Sequence, residues 1–247
     1  MRQLVDGVDH VFIPMVDAAA AFAALTEQLE LPALWPFTSF GGFASGGVSV
    51  GSIKLEIIDS TTEVPFSTAQ DPPEIQGVAF RPSTPVDDAY LAEVDARSLR
   101  RSAPSGFEVD GELRWTNLYL PDLISDTAGP FVCDYHVPGP RDLVTRRQAL
   151  EDCGGGRLGV LDASELVIQT RDTEAGSRRW QRLLDPLEPT QLLVWHPTVG
   201  PAIRLVEGPG ERVDHLQLRV RSRERASRLW QQLADGPLGR LPLQFVD

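Results

Sequence analysis

Four histidines, two cysteines and a single lysine carry much of the chemistry open to this chain of 247 residues. His10 stands in VDHVFIPM, where Val11, Ile13 and Met15 alternate with His10, Phe12 and Pro14. Successive side chains of a strand point to opposite faces. The aliphatic set therefore takes the core face and His10 the other. In SIKLEIID the same rule gives Ile53, Leu55 and Ile57 to the core, and Lys54, Glu56 and Ile58 to the opposite face. A neutral imidazole and a carboxylate on one face are a donor pair for Fe, Mn, Zn, Co or Ni, with positions left for substrate oxygens. The plain alternative is a strand histidine beside an acid that is solvated or paired with Lys54, since a buried carboxylate without a partner is costly. Other catalytic templates do not occur: there is no G-x-S-x-G elbow, Walker loop or H-E-x-x-H. Lys54 is the only lysine, so Schiff-base chemistry would have to use it.

Charge and composition narrow the field. The chain carries 35 acids against 23 Lys and Arg, a formal charge of −12, which makes nucleic acid and anionic membranes poor partners. No apolar run approaches the roughly 20 residues needed to span a bilayer. MRQLVDGVDH has acids where a signal peptide has its apolar stretch, so a cytoplasmic protein is expected. Cys133 and Cys153 are too few for a disulfide framework and lack metal-type spacing. A hydrophobic share of 42% with five tryptophans provides a sizeable core.

The elements that must position His10 and Glu56 recur along the chain. VDHVFIPMVD, ASELVIQTRD from Ala163 and VDHLQLRVRS from Val213 each read as a strand. Each runs straight into a helical pattern, expected over 18–30, 173–184 and 223–234. Asp17, Asp172 and Ser222 are placed to cap these helices, their side-chain oxygens accepting an orphan backbone N–H. A weaker copy begins at Ile75. Gly-rich turns and short strands follow the helices, ending in strands such as IKLEIID, PFVCDYHVP and AIRLVEGP. The unit is strand, helix, then about three antiparallel strands, and the fourth copy stops early at LPLQFVD. The expected architecture is α+β: four βαβββ modules, the last truncated, forming curved mixed sheets with helices on their convex faces. Pro-Gly-Pro and Gly-Gly-Gly bracket residues 138–156, which read as a linker between an N-terminal domain, 1–137, and a C-terminal domain, 157–247.

A βαβββ unit that opens with V-D-H and closes with L-E-I resembles the vicinal oxygen chelate superfamily, which includes glyoxalases, bleomycin-resistance proteins and extradiol dioxygenases. WPFTSFGGFASGGVSVGSIKLEII is similar to its glyoxalase-like branch. The resemblance spans most of the chain and is weakest in the second unit. It implies that paired units form a cup, and that a divalent metal, where present, is held by a histidine on a first strand and an acid on a last strand. Carried onto this sequence, it makes His10 and Glu56 ligands. Asp134, aligned on Glu56, becomes the third ligand. This alignment sets Val132, Asp134 and His136 on the cup face and Cys133 and Tyr135 on the core face. It also sets Gly77 opposite His10, so one first-strand ligand is absent.

In the second half Glu165 and His215 fall at the His10 position and Val206 at the Glu56 position, leaving at most a lesser second site. A cup built from units one and four would instead join His10, Glu56 and His215. His136 lies beside the Pro-Gly-Pro exit, and His196 at a turn. Phe12, Lys54, Trp35, Phe43, Trp115 and His136 are expected to line the pocket, with Phe37 and Phe40 as further candidates for its mouth. Trp180 and Trp230 read as core. The resemblance implies a metal-dependent lyase, isomerase or dioxygenase acting on a small molecule with neighbouring oxygens, with Glu56 or Asp134 as general base. The alternative is a metal-free protein of the bleomycin-resistance kind that sequesters a small ligand. The truncated fourth unit leaves a sheet edge for the linker or a second subunit to cover, so a homodimer is expected.

Overall fold

The computed structural model describes residues 2–59, 69–124, 129–136, 143–233, 235–238 and 240–247. Strand β1 (Val5–Met15) is nearly buried along its length because both its faces are covered. Asp17 then caps α1 (Ala18–Ala23), accepting from the Ala20 N–H, and a π-helical turn over Ala24–Gln28 extends it. Strands β2 (Ala33–Ser39), β3 (Ala44–Ser49) and β4 (Lys54–Asp59) complete the first unit. The second unit is β5 (Gly77–Pro82), α2 (Asp88–Ala96), β6 (Ser105–Val109), β7 (Glu112–Tyr119) and β8 (Gly129–Tyr135). Together they make one eight-stranded mixed sheet in the order β2-β3-β4-β1-β5-β8-β7-β6. Its centre is the antiparallel pair of first strands, β1 and β5.

The second half builds a five-stranded sheet from β9 (Val160–Thr170), α4 (Thr173–Leu184), β10 (Val194–Trp195), β11 (Ala202–Glu207), β12 (Arg212–Val220), α5 (Arg223–Leu233) and β13 (Leu243–Val246). The order is β10-β11-β9-β12-β13, again with the two first strands, β9 and β12, antiparallel at its centre. Neighbouring units therefore pair, and a cup shared by units one and four does not form. Helix α4 spans the residues expected of it, capped by Asp172, which accepts from the Glu174 and Ala175 N–H groups. Among the described residues, unit three has two strands after its helix and unit four has one.

The segment read as a linker holds helix α3 (Leu143–Asp152), with Arg146 and Leu150 buried. The Ser49 hydroxyl donates to the Arg146 carbonyl at 2.9 Å, which ties α3 to the end of β3. One continuous apolar core runs through both halves, containing Val78 and Phe80 of β5 together with Trp180, Leu183 and Leu184 of α4. The Phe80 and Trp180 rings lie 6.0 Å apart. Arg97, nearly buried, donates to the Arg182 and Asp185 carbonyls at 3.1 Å and closes the same seam. A second, small cluster of Phe12, Ile58, Ala79, Phe131 and Cys133 lies apart from this core and lines the concave face of the large sheet. Among the described residues no helix is long and apolar enough to cross a membrane.

Candidate functional site

The concave face holds a cavity of about 270 Å³. Among the described residues nine aromatic side chains line it: Phe12, Trp35, Phe40, Phe43, Phe107, Trp115, Tyr119, Phe131 and Tyr135. Trp35, Phe40 and Phe43 belong to the β2–β3 hairpin, and Phe107 and Trp115 to the β6–β7 hairpin. Strands β2 and β6 are the two edges of the eight-stranded sheet. Phe43 nevertheless packs on Phe107 with centroids 5.7 Å apart, and Phe40 meets Trp115 edge-on at 6.4 Å. The sheet is thus curled until its two outer hairpins touch through aromatic rings. Phe107 stacks on its cross-strand partner Trp115 at 4.3 Å, which stiffens one side of this contact.

Glycine makes room for these rings. A Cβ on Gly77 would lie 1.7 Å from Phe12, and one on Gly47 would lie 2.1 Å from Trp35. Gly77 faces Phe12 across the β1–β5 ladder and Ala79 faces His10, the symmetric register expected when Gly77 stands at the position equivalent to His10.

Among the described residues, His10 and Glu56 alone bring carboxylate or imidazole groups into the cavity lining, and both are where strand alternation put them. The His10 Nε2 and Glu56 Oε2 atoms are 3.6 Å apart. A β-bulge between Val8 and His10 makes Asp9 the extra residue of β1. Its carboxylate turns back to His10, with Oδ2 2.9 Å from Nδ1. Around that carboxylate stand the Lys54 ammonium, ion-paired to Oδ2, and the Tyr135 hydroxyl, which donates to Oδ2 at 3.2 Å. Arg146 of α3 reaches Oδ1 at 3.2 Å and the Asp9 carbonyl at 3.0 Å. Lys54 Nζ also donates to the Tyr135 oxygen at 3.0 Å. Burial pushes the Asp9 carboxyl up, but Lys54, His10 and Arg146 outweigh it and hold the group well below the usual carboxylate range. Burial raises the Cys133 thiol to about 12 and lifts the Tyr135 phenol well above its ordinary value.

Asp134 does not join this group. Its Oδ2 accepts from the Val86 N–H at 2.8 Å, on the side of the sheet that carries α2. Cys133 and Tyr135 take the cup face instead, so the expected faces of β8 are reversed. The reason is visible in the strand: Phe131, Val132 and Cys133 are all buried, so β8 offers no apolar alternation to fix its parity. Alignment on Glu56 set the parity, and it set it wrongly. His136 is exposed and hydrogen-bonded to Thr116 at 2.8 Å, outside the cavity. Lys54 shares the cup face but is buried beneath Tyr135 and does not line the cavity.

In the second sheet Glu165 is held by Arg204 through two hydrogen bonds of 2.7 and 2.8 Å, and His215 by Asp214 at 2.7 Å. They do not form a shared ligand set. The Asp214–His215 pair repeats Asp9–His10 down to the bulge, which here lies between Val213 and His215. The recurrence of V-D-H was the sequence signal for Asp9. Arg146 had no such signal, because nothing in RDLVTRRQALED distinguishes it from its neighbours.

A divalent metal needs more than this cup offers. The donor pair is His10 and Glu56, and the strands facing them contribute Gly77, Ala79, Phe131 and Cys133. Among the described residues no group of three His, Cys, Asp or Glu side chains is placed to hold an ion. The residues present do not fit the three-ligand centre that the resemblance implied.

No family model matches the sequence, and no curated protein matches it. Solved structures do. A hypothetical protein from Staphylococcus aureus superposes with a TM-score of 0.58 at 10% identity, covering 86% of this chain and 90% of its own. An extradiol ring-cleaving dioxygenase from B. fuscum gives 0.58 at 12% identity, over 96% of this chain and 63% of that one. This is the vicinal oxygen chelate fold. A substrate complex of homoprotocatechuate 2,3-dioxygenase from Brevibacterium fuscum, with 3,4-dihydroxyphenylacetate bound, gives 0.58 at 13% identity over 96% of this chain and 72% of the dioxygenase chain. At such identities the likeness carries the α+β architecture of curled mixed sheets and no chemistry.

Proposed function

We propose that this vicinal oxygen chelate chain is a small-molecule-binding protein that holds a flat, largely apolar ligand in its aromatic cup, with the ligand's polar end on His10 and Glu56. The observation that carries this reading is the cavity itself: about 270 Å³, nine aromatic rings and one imidazole–carboxylate pair at its floor. Concave, mostly apolar sites with a few convergent polar groups are the usual form of small-ligand sites. The expected metal-dependent lyase, isomerase or dioxygenase is the second reading. Its support is that Asp9 orients His10 as a carboxylate orients a metal-binding imidazole. The missing third donor weighs against it. A cytoplasmic setting and a homodimer closing the β13 edge belong to the same proposal and rest on composition and on the edge strand.

Binding of 2-methoxynaphthalene to exhaustively chelated protein, followed by tryptophan quenching, tests the first reading. Saturable binding at one site, weakened about tenfold or more by Trp115→Ala through lost ring contact, is expected. No saturable binding would overturn it. Elemental analysis of protein purified without chelator separates the two readings. We expect no stoichiometric divalent metal. An equimolar ion that His10→Ala removes would establish the metal-dependent enzyme instead.

A further inference from the structure

We infer that a second site, apart from the aromatic cup, binds small organic phosphates in a groove where the two halves of the chain meet. The groove holds about 510 Å³. Among the described residues, one wall comes from residues 98–100, which follow α2, and residues 121–123, which follow β7. The other comes from α4, whose Arg179 and Arg182 stand three residues apart and so share a face. Leu99 and Leu123, both buried, add apolar lining. The groove and the cup share no lining residue, so this site stands whether or not the cup takes a ligand.

Its charge is opposite to that of the molecule. Among the described residues three guanidinium groups, on Arg100, Arg179 and Arg182, line it against one carboxylate, Asp122. The chain as a whole carries −12. A cleft lined by one sign of charge concentrates its field on an incoming ion. The arginines are held in place but not used up. Arg182 makes no ion pair among the described residues, and its Nη1 donates to the Ser98 carbonyl at 3.3 Å, across the seam between the halves. Arg100 meets Asp122 at 3.7 Å with both side chains exposed, a contact of little energy that an anion can replace. Arg179 donates through Nη2 to Glu211, while its buried Nε has no hydrogen-bond partner among the described residues. A buried donor without an acceptor is rare in a folded protein. Guanidinium forks match the oxygens of carboxylates and phosphates. A phosphate monoester brings almost two negative charges and three acceptor oxygens, enough for Arg100 and Arg182 to share. A monocarboxylate brings one charge. Leu99 and Leu123 suit the carbon stem of the ester.

Calorimetry of phenyl phosphate on the full chain at about pH 8, where the ester is a dianion, tests the site. One saturable site is expected, weakening as salt is added. Arg182→Gln and Arg100→Gln should each weaken binding about tenfold or more, the range for a hydrogen bond to a charged group. Both side chains are exposed, so both variants should keep the wild-type circular dichroism, and if one fails to fold the other decides. Benzoate should bind more weakly than phenyl phosphate. An excess of 2-methoxynaphthalene, the probe of the cup, should leave phenyl phosphate binding unchanged. No saturable binding, an unchanged affinity in a folded variant, or displacement by 2-methoxynaphthalene would overturn the site. Benzoate binding as tightly as phenyl phosphate would overturn the phosphate class.

Discussion

Asp9 shows how one residue can gather a site. It is buried among Lys54, Arg146, Tyr135 and His10, and its ion pairs with Lys54 and Arg146 depend on its being ionised. Asp9→Asn would leave Lys54 and Arg146 buried without their counter-charge. Breaking a buried pair in this way costs about 3–5 kcal/mol, which urea unfolding at neutral pH should report. The pH dependence follows from the direction of the shift. A carboxyl depressed in the folded state stabilises it fully above the unfolded value, near pH ~3.9, and loses that contribution as pH falls through the folded value. The gap between wild type and Asp9→Asn should therefore be full near neutrality and close progressively below about pH 4. A gap that stays constant into strong acid would mean that Asp9 acts through shape alone.

At the scale of elements, the bulge in β1 and the packing of β5 decide what the cup can hold. Strand alternation would send Asp9 and His10 to opposite faces. The bulge between Val8 and His10 turns the acid back to the imidazole, and β12 repeats the device with Asp214 and His215. Gly77 is equally local in its action. Its missing Cβ is the space Phe12 occupies, at 1.7 Å from where that carbon would stand. Gly77→Ala must push the ring toward the cavity or part the strands. The expected cost is about 1–3 kcal/mol for overpacking, with a fall in binding of 2-methoxynaphthalene. Unchanged stability and unchanged binding together would show that Phe12 can leave its place freely.

Across the whole molecule, the two sheets share one apolar core, and α3 and α4 are set between elements of both. Phe80 of the first sheet meets Trp180 of the second half, Arg97 donates to Arg182 and Asp185, and Ser52 donates its N–H to Asp162 at 2.6 Å. A chain read as two domains and a linker would unfold in two steps. A core that runs through both halves should instead lose them together. Urea unfolding followed by far-ultraviolet circular dichroism and by tryptophan fluorescence should give coincident transitions. Trp180→Ala should lower both by about 3–5 kcal/mol, as removal of a buried large aromatic does. Separate transitions, with only the second shifted by Trp180→Ala, would favour independent halves.

The repeated strand–helix pattern, the capping residues and the aliphatic alternation in VDHVFIPM and SIKLEIID were enough to specify the units, the α+β architecture and the shared face of His10 and Glu56. These are local properties: a period of two in a half-buried strand and an acid at a helix start are written in adjacent residues. The parity of β8 was not, because Phe131, Val132 and Cys133 are apolar on both faces and only pairing with β5 and β7 chooses which face meets the cup. That choice removed Asp134 from the site and brought in Cys133 and Tyr135. Arg146 was equally illegible, since its partner Asp9 lies 137 residues away in the chain. The meeting of the β2–β3 and β6–β7 hairpins was as well, because they belong to opposite edges of one sheet. Contacts of that range depend on how far a sheet curls and where a helix docks, and both are settled by the packing of the whole chain.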